Sequence, residues 1–151
     1  MIGKLTNEQI DDVLRDNILG CIGCSDGNKT YIVPVSYAFD GNCILAHSVE
    51  GMKIEMMRNN PDVCFEVGEI KSFSNWKSVI TWGKYQELTD ERDRYYAMKI
   101  FVDRMIHIKT SKTAILPRMK EKEIHPHLPE NVRPVIYRII ITEKTGRFEN
   151  D

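Results

Sequence analysis

Residues 31–53 read YIVPVSYAFDGNCILAHSVEGMK, two runs of strand-forming residues followed by the start of a helix. The first run, 31–39, is rich in β-branched and aromatic residues, which favour strands. Asp40-Gly41 is a two-residue hairpin signal before the second run, 43–47. The stretch therefore predicts a β-hairpin that leads directly into a helix.

A proline interrupts the first of these strands. Pro34 has no N–H to donate to a neighbouring strand, so the strand must be an edge, a bulge or locally unpaired at that point. We expect something other than a neighbouring strand to meet the backbone there.

The second strand ends in groups suited to an anion. His47 and Ser48 are followed by Gly51 and by a short predicted helix, 52–59, with Lys53 in its first turn. A helix N-terminus has free N–H groups and the positive end of the helix dipole, the glycine lets the backbone approach closely, and the lysine adds a full charge. The alternative, which spacing alone favours, is that Ser48 only caps the helix and Lys53 is a solvated surface residue.

The rest of the chain alternates short predicted strands with a few helices. Thr6-Asn7-Glu8-Gln9 has the spacing of a capping box and predicts a helix over 7–17, and apolar residues at helical intervals predict another over 90–109. The remaining predicted strands cover 20–24, 63–67, 76–88, with Gly83 as a bulge or bend, and 135–141. Tight turns between short antiparallel strands indicate a mainly β or α+β fold, a small barrel.

Length and charge set the broad class. A chain of 151 residues fits one domain, so we treat 1–151 as a single unit. Residues 107–131 contain several prolines and little periodicity, which predicts a surface excursion able to cover a cleft. A formal charge of -1 gives no global attraction to nucleic acid or acidic membrane. No signal peptide or membrane span is recognisable, so we expect a cytoplasmic protein.

Cysteines and histidines give no convincing metal site. The cysteines lie in apolar stretches and are expected to be reduced and mostly buried; they are Cys21, Cys24, Cys43 and Cys64. In a strand, residues three apart point to opposite faces, so Cys21 and Cys24 should not converge on a metal. His107, His125 and His127 have no nearby carboxylate or cysteine partner.

The aromatic residues of the predicted strand 76–88 allow a second interpretation. Trp76, Trp82 and Tyr85, beside Lys77 and Lys84, resemble a stacking platform for single-stranded nucleic acid. Because the overall charge is close to neutral, we favour core or interface aromatics and expect no nucleic-acid partner. The chain has no G-x-S-x-G elbow, P-loop or dinucleotide fingerprint.

The ordered series VPVSY, DG, AHS, GMK, RNNPDVCFEV and WKSVITWGKYQEL closely resembles the pyridoxamine 5′-phosphate oxidase-like, FMN-binding split-barrel family. The resemblance runs from about Gly20 to Leu88, and the nearest subgroup is the small nitroimidazole-resistance-like flavoproteins. It implies a six-stranded antiparallel split β-barrel with a few flanking helices, which forms a homodimer with FMN in clefts at the subunit interface.

The resemblance also assigns cofactor-binding residues in three segments. The backbone of one strand is implied to lie along the isoalloxazine ring, through Val33, Pro34, Val35, Ser36 and Tyr37. The implied phosphate and ribityl binders are His47, Ser48, Met52 and Lys53. The segment implied to reach the flavin from the partner subunit is Trp76, Lys77, Ser78 and Val79. The oxidases proper carry arginines in the first and third segments, where Lys77 is the only basic residue here, so pyridoxamine phosphate oxidation is not expected.

These inferences lead to two functional hypotheses. The first is an FMN-dependent oxidoreductase that passes electrons from a reduced donor to a small acceptor such as a nitroaromatic; since the cofactor supplies the chemistry, no acid–base dyad is expected. The second is a non-catalytic flavin or haem binding or sensor protein, because fold does not fix function. Haem would require an axial ligand such as His47, His107 or His125.

Overall fold

The computed structural model describes residues 1–112 and 133–151, with side chains described outside 108–132. In these ranges the chain forms eight strands and three helices. In chain order they are β1 (Ile2–Lys4), α1 (Asn7–Asp16), β2 (Leu19–Asp26), β3 (Lys29–Ser36), β4 (Ala38–Phe39), β5 (Cys43–Ser48), α2 (Met52–Asn59), β6 (Asp62–Ser72), β7 (Asn75–Glu87), α3 (Glu91–Lys112) and β8 (Val135–Glu149).

One antiparallel sheet contains all of these strands. Its order is β3-β2-β6-β7-β8-β5-β4, and β1 also pairs with β8. The strands at the two ends of this order, β3 and β4, are consecutive in the chain with only Tyr37 between them. The sheet must therefore curl until its ends meet, as a barrel split at the β3–β4 corner. Without the three-residue β1 and the two-residue β4, six strands remain, and the predicted split barrel is confirmed.

The capping box predicted for α1 is present. The Gln9 amide donates to the Thr6 hydroxyl at 3.2 Å, and the Thr6 amide donates to the Gln9 side chain at 2.8 Å. The buried face of α1 presents Ile10, Val13 and Leu14 to the barrel. The capping box thus fixes where α1 begins, and its amphipathic spacing fixes which face packs on the barrel.

The core fills the inside of the barrel, beneath α1 and α2. Ile22, Phe65 and Val79 are fully buried on the inner face of the sheet, and Ile54 and Met57 of α2 pack into the same cluster. Because the side chains of a strand alternate between its two faces, every second residue of each strand points inward, and these residues together form one inner apolar face.

Gly83 lies at an irregularity in β7, as predicted. The register between β7 and β8 shifts between Trp82 and Gly83. A Cβ on Gly83 would lie 2.3 Å from the carbonyl oxygen of Ile140. Only glycine permits this approach of two backbones, so the glycine sets the local bend of the barrel wall.

Helix α3 packs on the outside of the barrel, against β5 and β8. A second hydrophobic cluster forms there from Cys43, Leu45, Leu88, Ala97 and Ile136. Residues 107–112 are helical, so α3 continues beyond 109, where the predicted helix ends, and into the predicted surface excursion 107–131. The remainder of that predicted excursion, 113–131, lies outside the described residues.

Candidate functional site

The junction between β5 and α2 leaves backbone amides open to an anion. The first hydrogen bond within α2 joins the N–H of Glu55 to the C=O of Gly51 at 3.1 Å. The amides of residues 52–54 therefore have no acceptor within the helix, and no side chain in the described part of the chain caps them. A Cβ on Gly51 would meet no described atom within 4 Å, so the space beside Gly51 itself is open. We call residues 51–54, with the Lys53 side chain, the anion seat.

Ser48 does not cap this helix. Its buried hydroxyl donates to the C=O of Val49 at 2.9 Å. The alternative in which Ser48 is only a helix cap is therefore wrong. The hydroxyl oxygen keeps lone pairs for a further contact, and the bond to Val49 shapes the turn that leads to the anion seat.

Lys53 carries a charge that no carboxylate of the described residues neutralises. It is half-buried, on the same face of α2 as the buried Met57. Burial lowers the pKa of Lys53, and the nearby Cys24 thiol opposes this shift. Within the described residues no carboxylate lies within ion-pair distance of its ammonium. Lys53 is therefore only partly exposed, and an anion at the seat would give it a charge partner.

His47 lies on the other face of β5. Its ring meets Phe101 of α3 edge-on, with the ring centroids 4.5 Å apart and an interplanar angle of 80°. The alternation of the strand places the Ser48 side chain on the barrel side. The structure therefore does not bring the His47 and Ser48 side chains together, although the resemblance groups them as phosphate and ribityl binders.

The strand that contains Pro34 is an edge strand, as the proline predicted. β3 pairs with β2 alone, with Pro34 opposite Cys21. Pro34 and Ser36 are exposed, whereas the Val35 side chain points into the core. The second edge of β3 has no strand partner among the described residues, so its backbone groups can bind a planar ligand with donors and acceptors at its rim.

Tyr37 is committed to the core through its side chain. It is fully buried, its hydroxyl donates to the C=O of Leu14 at 2.7 Å, and its ring meets Phe65 edge-on with centroids 4.9 Å apart. Only the backbone of Tyr37 is available to a ligand. The resemblance implies backbone contacts for this strand, so the two observations are compatible.

The segment of β7 implied to reach a partner's flavin has two faces. Trp76 donates from its ring nitrogen to Glu149 at 3.0 Å, and Ser78 donates to Glu66 at 3.3 Å. An open cleft of about 770 Å³ lies beside them, lined also by Lys77. Val79 is fully buried in the core, so only its backbone could contact another molecule.

The outer face of the sheet carries mostly apolar side chains over several strands, with Glu66 as the one charged residue of the two rows that strand pairing defines. Strand pairing places Ile32, Gly23, Cys64 and Trp82 in one row across β3, β2, β6 and β7. The adjacent row contains Pro34, Cys21, Glu66 and Ile80. Ile32 is 71 % exposed, Trp82 39 % and Ile80 36 %. We call these two rows the outer apolar face; patches of this kind mark protein interfaces.

The structure also bears on the stacking platform, the cysteine pair and the metal site that the sequence raised. Tyr85 is buried on the inner face beside Tyr137, so it cannot join the outward Trp82 in a stacking platform. Cys24 is buried in the core while Cys21 is half-buried in the outer row, so these two sulfurs do not converge. Among the described residues no group of three or more His, Cys, Asp or Glu side chains could hold a metal, and no helix is long and apolar enough to cross a membrane.

The sequence reasoning missed a network of three residues near the anion seat, formed by Arg58, Glu50 and Glu87. Arg58 donates two hydrogen bonds to Glu50, each of 2.8 Å, and another to Glu87 at 2.9 Å. The opposite charges at 50 and 58 are visible in the sequence, but their spacing is not the i, i+4 pattern that marks a helix pair. Glu87 is the last residue of β7, so only the assembled sheet places it beside Arg58.

The match to a known family agrees with this architecture. The model of the pyridoxamine 5′-phosphate oxidase family matches residues 6–148. The chain belongs to this family. A search of curated proteins finds an uncharacterized protein of Rhizobium meliloti (strain 1021) that is 38 % identical over 84 residues, and the match spans 56 % of each chain. The chain thus matches little more than half of that relative's length.

Solved structures also share this fold over nearly the whole chain. A FAD-binding protein from Mesorhizobium loti is 28 % identical, with a TM-score of 0.74 over 100 % of this chain and 98 % of that one. The FAD binding protein from Mycobacterium smegmatis has 22 % identity and a TM-score of 0.69 over 99 % and 100 %. A proposed 5-nitroimidazole antibiotic resistance protein from Bacteroides thetaiotaomicron has 16 % identity and a TM-score of 0.72 over 98 % and 87 %. The last two show the shared fold alone.

Proposed function

We propose that the chain is an FMN-binding flavoprotein that acts as an oxidoreductase, passing electrons from a reduced donor to a small acceptor such as a nitroaromatic. The observation that carries this proposal is the anion seat: the amides of the first turn of α2 have no side-chain cap, and the half-buried Lys53 of the same turn has no carboxylate at ion-pair distance among the described residues. A phosphate monoester needs this combination of N–H donors and positive charge. The FAD-binding relative from Mesorhizobium loti supports a flavin as the molecule that carries the phosphate.

The residues of the chain fit the separate parts of FMN. The seat provides donors and charge for the phosphate, and the free edge of β3 provides backbone groups for the rim of the isoalloxazine ring. A bound flavin would supply hydride and single-electron transfer. The protein orients the ring and excludes water from it, so the chemistry requires no acid–base dyad of side chains.

Absorbance and ligand titration test the cofactor. We expect the purified protein to be yellow, with absorbance near roughly 450 nm, and the cofactor-free protein to bind FMN more tightly than riboflavin, which lacks the phosphate. FAD is titrated in parallel, because the relatives from Mesorhizobium loti and Mycobacterium smegmatis are FAD-binding proteins. A colourless protein that binds none of these three flavins would refute the proposal.

Turnover separates an oxidoreductase from a flavin carrier or sensor. The loaded protein is mixed with NADH or NADPH under anaerobic conditions, and a nitroaromatic acceptor is then added. Bleaching by the donor and recovery of the yellow form by the acceptor support the oxidoreductase. A flavin that binds tightly but stays oxidised with both donors favours the carrier.

We also propose a homodimer that buries the outer apolar face and places the Trp76–Val79 segment beside the partner's FMN. Ile32→Glu introduces a charge into this face at a position that is already 71 % exposed, so the monomer fold should survive. Tyr95→Glu is the matched control, since Tyr95 is 63 % exposed but lies on α3. Light scattering should show a dimer for the wild type and for the control, and a monomer for Ile32→Glu; a dimer in all three contradicts this interface.

A further inference from the structure

Arg58 forms the densest ion-pair network beside the anion seat. Its guanidinium donates to both carboxylate oxygens of Glu50 at 2.8 Å, and it lies 2.7 Å from a carboxylate oxygen of Glu87. The hydroxyl of Tyr85 donates to the same Glu87 oxygen at 2.8 Å. Arg58 therefore links Glu50, which lies just before the N-cap of α2, to Glu87 at the end of β7.

The position of Glu50 makes this network relevant to the seat. Glu50 immediately precedes the N-cap residue Gly51, which has no side chain of its own. A carboxylate near a helix N-terminus is attracted by the dipole and by the uncapped amides. Left to itself, Glu50 would compete for the same donors that a phosphate requires, and its charge would repel the phosphate.

The structure shows the Glu50 carboxylate bound by Arg58 and not by those amides. Both carboxylate oxygens of Glu50 accept from the guanidinium, and no side chain among the described residues caps the first turn of α2. Because side chains of a helix lean toward its N-terminus, Arg58 can reach back along α2 to Glu50. The Arg58 guanidinium lowers the pKa of Glu50 and the two glutamates raise the pKa of Arg58, so the pair stays ionised at neutral pH.

We propose that Arg58 is a positioning residue for the anion seat, which holds and neutralises Glu50 so that the amides of residues 52–54 and Lys53 remain open to phosphate. This inference rests on the proposed FMN function. Glu87 accepts from the same guanidinium but has no part in the proposal, because Arg58 binds Glu50 through two hydrogen bonds of its own. Arg58 itself need not touch the cofactor.

The test compares FMN with riboflavin on the full chain. Arg58→Met should weaken FMN about fivefold to thirtyfold at low salt, as expected for one unit charge left about 8 Å from a phosphate of charge about −1 to −2 at an effective dielectric constant of about 40. Riboflavin has no phosphate, so its Kd should not change. The loss of FMN affinity should shrink at high salt, because salt screens exposed charges.

Rescue distinguishes positioning from a general structural effect. In the double variant Arg58→Met with Glu50→Gln, the competing charge is gone, and FMN affinity should return to within about twofold of the wild type. Glu87→Gln is the matched control: it removes the other carboxylate of the network, and Glu50 remains paired with Arg58, so FMN affinity should hold. If Arg58→Met does not fold, Arg58→Gln tests the same charge while keeping an amide donor toward Glu50.

The two proposals fail in different ways. A wild-type protein that binds no FMN removes the proposed function. A wild type that binds FMN, with an unchanged ratio of FMN to riboflavin affinity in the Arg58 variant, overturns the role of Arg58. Failure of Glu50→Gln to rescue the loss also overturns it, because a structural defect would persist in the double variant.

Discussion

Replacing Lys53 with methionine should separate cofactor affinity from protein stability. Methionine keeps most of the apolar stem that packs beside Met57 and removes the ammonium. Since no carboxylate within the described residues pairs with Lys53, the change leaves no charge unpaired. The effect should therefore fall on the phosphate alone.

The magnitude follows from the environment of the ammonium. A hydrogen bond to a charged group contributes about 1.5–3 kcal/mol, and each 1.4 kcal/mol is tenfold in Kd. Lys53 is half-buried rather than enclosed, so we expect the lower part of that range, a loss of about tenfold to thirtyfold in FMN affinity. The amides of residues 52–54 remain, so binding should weaken and not disappear.

The free energy of unfolding of the cofactor-free Lys53→Met protein should rise or stay constant, although its FMN affinity falls. Burial lowers the pKa of Lys53, so the folded protein disfavours the charged form. In the wild type the unfolded chain then binds more protons between the lowered pKa and the usual one, and stability should rise as the pH increases through that window. In the methionine variant this rise should be absent.

The assay is fluorescence quenching of FMN and of riboflavin, together with urea unfolding of the cofactor-free protein. FMN affinity of the wild type should fall as the pH rises through the pKa of Lys53, and the variant should lose this dependence. Equal losses for FMN and riboflavin would show that Lys53 does not bind the phosphate. A fall of more than about 1 kcal/mol in the free energy of unfolding would show that the ammonium has a structural role.

Three further substitutions test other parts of the fold and site. Tyr37→Phe leaves the Leu14 carbonyl without its donor and should lower the free energy of unfolding in urea by about 1–2 kcal/mol, with an unchanged dependence on urea concentration. Since burial raises the pKa of Tyr37, the wild type should lose stability as the pH rises above the usual tyrosine pKa. The variant should not show this loss. Gly83→Ala forces a Cβ against the Ile140 carbonyl oxygen and should destabilise by about 1–3 kcal/mol, and an unchanged melting temperature would contradict the observed close approach. Gly51→Ala meets open space, so stability should hold while FMN affinity falls; an unaffected FMN affinity would argue against a phosphate beside Gly51.

Local chemistry made much of the barrel predictable. The capping box of α1, the hairpin turn after β4 and the edge position of Pro34 depend on residues near each other in the chain. The order of the strands was not predictable in this way, because β6 joins β2 and β7 joins β8 across long separations. The predicted strands 63–67 and 135–141 were also too short, since β6 and β8 continue to Ser72 and Glu149 through polar residues that show no clear alternation.

In the candidate site, too, local features were predictable from the sequence, and features that depend on distant segments were not. The anion seat is a local feature, built by the turn after β5 and the first turn of α2, so its residues could be named from the sequence. The orientation of His47 could not, because it depends on where α3 docks on β5. The tie between Arg58 and Glu87 depends on the position of the end of β7, which only the assembled sheet provides.

The pairing of β8 has a consequence for how the protein is made. β8 hydrogen-bonds to β1, β5 and β7, three strands that precede it by many residues. During synthesis these strands have unpaired edges until residues 135–149 leave the ribosome. Contacts between such distant segments slow folding and prolong the exposure of apolar strands. We expect chains truncated before residue 135 to aggregate, and chaperone binding to persist until the last strand is added.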